Sequence, residues 1–291
     1  MSDLEDFAIG VGFKRKLGPV IVSDCRTGRH SASDYSNFPA SHFPLNSRWQ
    51  PLRGKAEKKV FKHPLSFQAE RAQIVAIGRN YMEHVKELNN TAPKEPFFFL
   101  KPTTSYVPSG GKVEIPSGII AHHEVELGVV IGKSGRDIAQ ADAESHVAGY
   151  ALAVDMTARN LQDHVKKRGL PWSAAKGFDT FTPIGSFIPK EKIADPHNLG
   201  LTLKINGAFQ QNGTTADMIF KIPRLIEHIS SIMTLEARPT SLLLQCTPSG
   251  VGQVSPGDKV ECTLTDSSGT QLAALDFVAV AREGGYHFAP E

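Results

Sequence analysis

Cysteine is scarce in this chain of 291 residues: Cys25, Cys246 and Cys262 are the only three. They show no metal-like spacing and are too few for a disulfide framework, so a reducing compartment is expected. Charge of one sign is also lacking. A net charge of +2 gives no electrostatic reason to expect nucleic acid or an anionic membrane as partner. No apolar run approaches the roughly 20 residues of a membrane span. The first residues, Met1-Ser2-Asp3-Leu4-Glu5-Asp6, are acidic and no signal-peptide core follows, which argues against a transit or signal peptide starting there. Glycine-rich phosphate loops of the standard spacings are missing, and Gly250-Val251-Gly252 lacks the remaining glycine of a dinucleotide fingerprint. No internal repeat is visible. The expectation is an intracellular protein, cytoplasmic or mitochondrial, that binds neither membrane nor nucleic acid.

What is present is an ordinary globular composition, 40% apolar and 21% charged. The chain divides near residue 72. Residues 1–72 are polar and weakly periodic, with a basic cluster at Lys55-Ala56-Glu57-Lys58-Lys59 and strand seeds only at Phe7-Ala8-Ile9 and Val20-Ile21-Val22. They read as a loosely structured lead segment. From residue 73 to about 285 the signals are dense and mostly β. Asn206-Gly207 between apolar flanks predicts a hairpin. Pro223 opens a helix carrying Leu225, Ile226, Ile229, Ile232 and Met233 at helical spacing. Lys259 to Leu264 alternates like a half-buried strand after the Pro256-Gly257-Asp258 turn.

The stretch His122-His123-Glu124-Val125-Glu126-Leu127-Gly128 carries the chemistry. Val125 to Ile131 reads as a strand, so Glu124 and Glu126 point the same way and Val125 and Leu127 point into the core. Paired carboxylates repel unless something compensates, and a hard divalent cation with oxygen ligands does so. A solvated edge strand bearing two ordinary glutamates is the plain alternative. Asp155, at the exit of the apolar run Gly149 to Val154, is placed to be a third ligand. Two glutamates and an aspartate suit Mg²⁺ or Mn²⁺ rather than zinc.

Three further clusters stand out. Tyr81 to Leu88 predicts a short helix on which His84 and Glu87 share a face. Such a pair is either a general base whose tautomer the carboxylate fixes, or a surface pair on a solvated helix. Lys176, in the small and apolar company of Trp172-Ser173-Ala174-Ala175-Lys176-Gly177-Phe178, either stabilises an oxyanion or reaches to solvent. Thr247-Pro248-Ser249-Gly250-Val251-Gly252 is a loop whose amides could hold a carboxylate.

Gly78-Arg79-Asn80-Tyr81 with His84, Phe99-Leu100-Lys101-Pro102, His123 to Gly128, Asp155-Met156-Thr157-Ala158-Arg159 and Thr247 to Gly252 together resemble the fumarylacetoacetate hydrolase superfamily. Leu170-Pro171-Trp172 before Lys176 and the His84–Glu87 pair are most similar to its acylpyruvase and oxaloacetate decarboxylase branch. The resemblance runs from about Ile74 to about Val280. It implies an α+β, mostly β fold, a mixed β-roll, usually homodimeric, binding Mg²⁺ or Mn²⁺. By position, Glu124, Glu126 and Asp155 would be the metal ligands. His84 and Glu87 would activate water on a lid, and Lys176 would face the reacting carbonyl or enolate. Arg79, Lys101, Arg159, Gln162 and Thr247 would contact substrate. The implied substrate is a small 2-keto acid cleaved at C3–C4, by hydrolysis of acylpyruvates or decarboxylation of oxaloacetate.

Two places depart from the family pattern. Glu236-Ala237-Arg238-Pro239-Thr240-Ser241 stands where a Pro-Gly-Asp turn is usual, and Cys246 replaces a glycine that permits close backbone approach. The lead segment also fails to match. The alternatives are therefore a hydroxymuconate-type isomerase, a diketo-sugar-acid hydrolase, or a homologue that binds metal and ligand with impaired turnover.

Overall fold

The computed structural model describes residues 73–87, 91–238 and 241–289. The lead segment at 1–72, its strand seeds, its basic cluster and part of the turn at 236–241 lie outside the described residues. The fold is α+β and mostly strand, built on curled mixed sheets. The largest sheet has eight strands. Seven run in the order Phe97–Lys101, Ile74–Gly78, Leu242–Leu244, Val125–Ile131, Val147–Val154, Thr182–Ile184, Tyr106–Pro108, and Ile188–Pro189 also pairs with Val147–Val154. A five-stranded sheet is ordered Ala208–Thr214, Gly200–Ile205, Lys259–Thr265, Gln271–Ala281, Gly111–Ile115. Leu127, Val129, Leu152, Leu201, Leu203, Leu264, Leu275 and Phe277 join one buried cluster that draws on both sheets.

The expected elements form for the reasons given. Asn206 and Gly207 take φ of 51° and 82°, the left-handed pair that a tight hairpin turn requires, and join the Gly200–Ile205 and Ala208–Thr214 strands. The helix is Ile222–Ser230, buried through Ile222, Leu225, Ile226 and Ile229. Ile232 and Met233 fall beyond its end. The Val125–Ile131 strand is no edge strand. It pairs with Leu242–Leu244 on one side and Val147–Val154 on the other, and all seven residues are buried.

A three-stranded sheet, ordered Gln253–Val254, Ala121–His122, Thr157–Ala158, positions the site. Ala121–His122 leads into Val125–Ile131, and Val147–Val154 leads into Thr157–Ala158. Both chains thus pass from one sheet to the other at the same level, at residues 123–124 and 155–156. The Asp155 amide donates to the Glu124 carbonyl at 2.8 Å across this break. Two neighbouring strands leaving the large sheet together bring Glu124, Glu126 and Asp155 to one spot.

Candidate metal centre and its cavity

Glu124, Glu126 and Asp155 each offer a carboxylate oxygen within 4.8 Å of the others, and all three are buried. Three acids without water demand positive charge. The chain supplies part of it. Lys176 Nζ donates to Glu124 Oε2 at 2.8 Å and to Asp155 Oδ2 at 2.6 Å. Arg159 Nη2 donates to Glu124 Oε1 at 2.6 Å, and Thr157 Oγ1 donates to the same oxygen at 2.8 Å. Lys101 Nζ donates to Asp155 Oδ1 at 2.5 Å.

Glu126 is served least. Among the described residues, its Oε2 accepts the Cys246 amide alone, at 3.0 Å, and its Oε1 has no hydrogen-bond partner. Burial pushes its carboxyl well above the usual value, and Asp155 and Glu124 push it further. Glu124 is also pushed up by burial, but Lys176 and Arg159 outweigh this and hold it well below the carboxylate range. An orphaned buried carboxylate oxygen facing two more acids is what a hard, oxygen-seeking cation fits. The donor set has no soft ligand and so agrees with Mg²⁺ or Mn²⁺.

A cavity of about 190 Å³ opens beside these acids, lined by His84, Arg79, Glu124, Arg159, Gln162 and Lys176 among others. His84 is only 4% exposed, so it is not a surface histidine. Its Nδ1 lies 3.1 Å from Glu87 Oε2, and Glu87 Oε1 accepts the Gly250 amide at 3.2 Å. Glu87 itself is exposed and is not on the cavity lining. Lys176 is 1% exposed and does not reach solvent. Burial works to lower its pKa, but Asp155 and Glu124 raise it overall, so the ammonium is charged at neutral pH.

Two of the expected substrate contacts lie elsewhere. Lys101 is buried away from the cavity lining, and besides Asp155 it donates to the carbonyls of Phe181 at 2.9 Å and Met156 at 3.3 Å. All three of its contacts are protein acceptors, Asp155 among them. Thr247 is fully buried and donates to the Val125 carbonyl at 2.8 Å.

Further side chains surround the acids and the cavity, some on the lining and some behind it. Phe97 and Phe99 pack on Trp172, with centroids 5.1 and 5.6 Å apart, and Lys176 Nζ sits 5.0 Å from the Phe99 centroid. Arg159, Gln162, Asp163 and Lys166, all on helix Arg159–Lys167, line one wall. Gln211 is the least foreseeable participant. It comes from the five-stranded sheet, is buried, and uses its whole amide. Oε1 lies 2.8 Å from His123 Nδ1 and accepts the Val125 amide at 3.0 Å. Nε2 donates to Thr247 Oγ1 at 2.7 Å and to the Pro248 carbonyl at 2.9 Å. Gln211 therefore ties His123 and Val125, next to Glu124 and Glu126, to the 247–252 loop whose Gly250 amide meets Glu87. Replacing it with Leu is expected to weaken Mn²⁺ binding about tenfold or more, as loss of a ligand-orienting partner does. It should also cost about 2 kcal/mol or more through unpaired buried groups. Calorimetric Mn²⁺ titration and thermal melts check this; unchanged Mn²⁺ affinity would remove Gln211 from the metal support.

The family model described as fumarylacetoacetate (FAA) hydrolase C-terminal matches residues 73–276. The chain is 54% identical over 195 residues to the mitochondrial oxaloacetate decarboxylase of Dictyostelium discoideum, covering 66% of this chain and 88% of that protein. It is 52% identical over 201 residues to the mitochondrial oxaloacetate tautomerase FAHD1 of Arabidopsis thaliana, covering 69% and 89%. Among solved structures, it is similar to the fumarylpyruvate hydrolase of Pseudomonas aeruginosa in complex with Mn²⁺ and pyruvate. The TM-score there is 0.65 at 32% identity, covering 72% of this chain and 90% of that one.

Proposed function

Because the chain belongs to the fumarylacetoacetate hydrolase family, we propose that it works on oxaloacetate through the enolate, interconverting its keto and enol forms and releasing CO₂ from it. The observation that carries this reading is Lys176, a buried ammonium fixed between Glu124 and Asp155 at the cavity wall. A preorganised charge of this kind favours negative charge developing next to it. A divalent cation, Mg²⁺ or Mn²⁺, held by Glu124, Glu126 and Asp155 would supply Lewis-acid stabilisation of the keto oxygen.

The net charge of the site also favours a doubly negative substrate. Lys101, Lys176 and Arg159 oppose the three acids, and Arg79 and Lys166 outnumber Asp163 on the cavity lining, so a bound dication would leave the site net positive. Oxaloacetate carries two negative charges; a neutral-tailed acylpyruvate carries one. With Nδ1 engaged by Glu87, the His84 ring has Nε2 left to take the proton from C3 of the keto form, and returning that proton to the keto oxygen gives the enol. In decarboxylation the C3–C4 bond breaks, CO₂ leaves, and the electron pair stays as the enolate of pyruvate, which is then protonated at C3. Phe99 and Trp172 give the cavity an apolar wall on one side, and excluding water there would strengthen each electrostatic contact.

Hydrolysis of acylpyruvates, expected from the sequence alongside decarboxylation of oxaloacetate, is the second reading. The buried His84 with its Glu87 partner favours it, since the pair can activate water. The names of the relatives shift the emphasis toward oxaloacetate, and the mitochondrial relatives support the same compartment here. Oxaloacetate tautomerisation, its decarboxylation and acylpyruvate hydrolysis are to be assayed with Mg²⁺, Mn²⁺ and chelator. His84→Ala is expected to cost tautomerisation and hydrolysis about 10²–10³-fold and decarboxylation less. Equal losses in all three would refute a proton-transfer role for His84, and no activity on oxaloacetate with either metal would overturn the main reading.

A further inference from the structure

Five non-glycine residues among those described have positive φ, and two of them, Arg79 at 61° and Cys246 at 73°, line the same cavity. They follow the ends of Ile74–Gly78 and Leu242–Leu244, which pair in parallel with Ala76 opposite Leu244. At φ of 73° an L-residue crowds its own carbonyl and a glycine does not. Nothing about the backbone there calls for a side chain. The Cys246 amide donates to Glu126 Oε2, and a glycine amide could do the same. A side chain kept at such a position points to a function for its bulk. The cavity holds only about 190 Å³ with Cys246 on its lining, below the roughly 300–1,000 Å³ of sites for drug-sized ligands, so removing one Cβ and one sulfur from that lining would enlarge it appreciably.

From this we infer that Cys246 is a specificity-determining residue whose side chain caps the size of the acyl portion, admitting compact keto acids and excluding bulky ones. The inference rests on the proposed 2-keto-acid reading and adds to it which members of that class enter. The sulfur acts by volume, so an isosteric hydroxyl serves equally well, and removing the side chain opens the site.

The test compares two ligands that share a chelating end and differ in bulk, oxalate and N-phenyloxamate. Their dissociation constants are measured calorimetrically with Mn²⁺ on the full-length protein and its Cys246→Ser, Cys246→Ala and Cys246→Gly variants. The N-phenyloxamate-to-oxalate ratio is expected to fall about tenfold or more in the Gly variant, part of the way in the Ala variant, and to stay within about twofold in the Ser variant. A flat ratio in the Gly and Ala variants overturns the inference, as does a Ser variant that moves as far as Gly. If circular dichroism shows the Gly variant unfolded, the Ala variant decides. Wild-type turnover of oxaloacetate is recorded alongside. A shifting ratio without turnover overturns the proposed reaction and leaves the size limit standing; turnover with a flat ratio overturns the size limit alone. Failure of the wild type to bind oxalate overturns both.

Discussion

Glu126→Gln is expected to lower oxaloacetate turnover by about 10³-fold or more and to abolish the Mn²⁺-induced rise in melting temperature, while raising the stability of the metal-free protein. The two signs have one cause. Gln keeps the shape of Glu126 and can still accept the Cys246 amide, now at 3.0 Å from Oε2, but it removes one of three buried negative charges. Loss of a charged ligand should exceed the roughly 10–100-fold effect of losing an outer-shell partner. Without metal, that charge is a liability. Burial first, then Asp155 and Glu124, raise the Glu126 carboxyl well above the ordinary 4.5. A folded-state value raised above the unfolded one means that stability is fully present below pH 4.5 and is lost as pH rises through the folded value. In chelator, wild type should therefore weaken from about pH 5 to about pH 8 more than the Gln variant does. With Mn²⁺ the order should invert, because only wild type gains the binding free energy. Melts in chelator and in Mn²⁺ at both pH values read this directly. A Gln variant with undiminished turnover and an intact Mn²⁺ shift would sink the metal assignment.

Lys176→Met should be as damaging in the opposite sense. Methionine fills a similar volume without charge, leaving Glu124 Oε2 and Asp155 Oδ2 without the ammonium now 2.8 and 2.6 Å away. Breaking a buried pair by removing one partner costs about 3–5 kcal/mol. That loss should appear in full in chelator and shrink when Mn²⁺ restores positive charge beside the two acids. Turnover should not recover with the metal. Losing a fixed group that faces developing negative charge costs about 10²–10³ in kcat. Lys176→Arg should not rescue it, because a planar guanidinium cannot sit as a compact point charge above Phe99. The Lys176 pKa is raised in the folded state, so its contribution is complete below 10.5 and is lost only as pH climbs through the higher folded value. The neutral-pH comparison is thus free of its titration. Stability loss that is the same with and without Mn²⁺, or kcat close to wild type, would refute the bridging role.

Much of this site could be read from local pattern. Period-two alternation put Glu124 and Glu126 on one side of a strand, and an acid at the exit of the next apolar run completed the triad. The Asn206-Gly207 turn and the Pro223 helix were equally open to reading, because backbone preference within a few residues decides them. The motif order from Arg79 to Gly252 pointed to the family on the same kind of local information.

Packing decided the rest. Whether Glu124 and Glu126 decorated an edge or faced a dry interior depended on Leu242–Leu244 pairing with the far side of Val125–Ile131, a contact more than 110 residues away along the chain. Whether Lys176 reached solvent or bridged two acids depended on the long-range placing of Glu124, Asp155 and the Phe99 ring around it. Lys101 and Thr247 kept their motif positions but were drawn to protein acceptors, so both support the site from within. Nothing in Phe209-Gln210-Gln211-Asn212 separates Gln211 from Gln210. Only the facing of the two sheets, with a register shift between Leu203 and Lys204, turned Gln211 toward His123 and Thr247. Residue types and short spacings set which groups are available and which backbone they sit on. Which of them meet, and so whether a charge is paired, orphaned or free to act, is a matter of long-range contact that only the folded chain resolves.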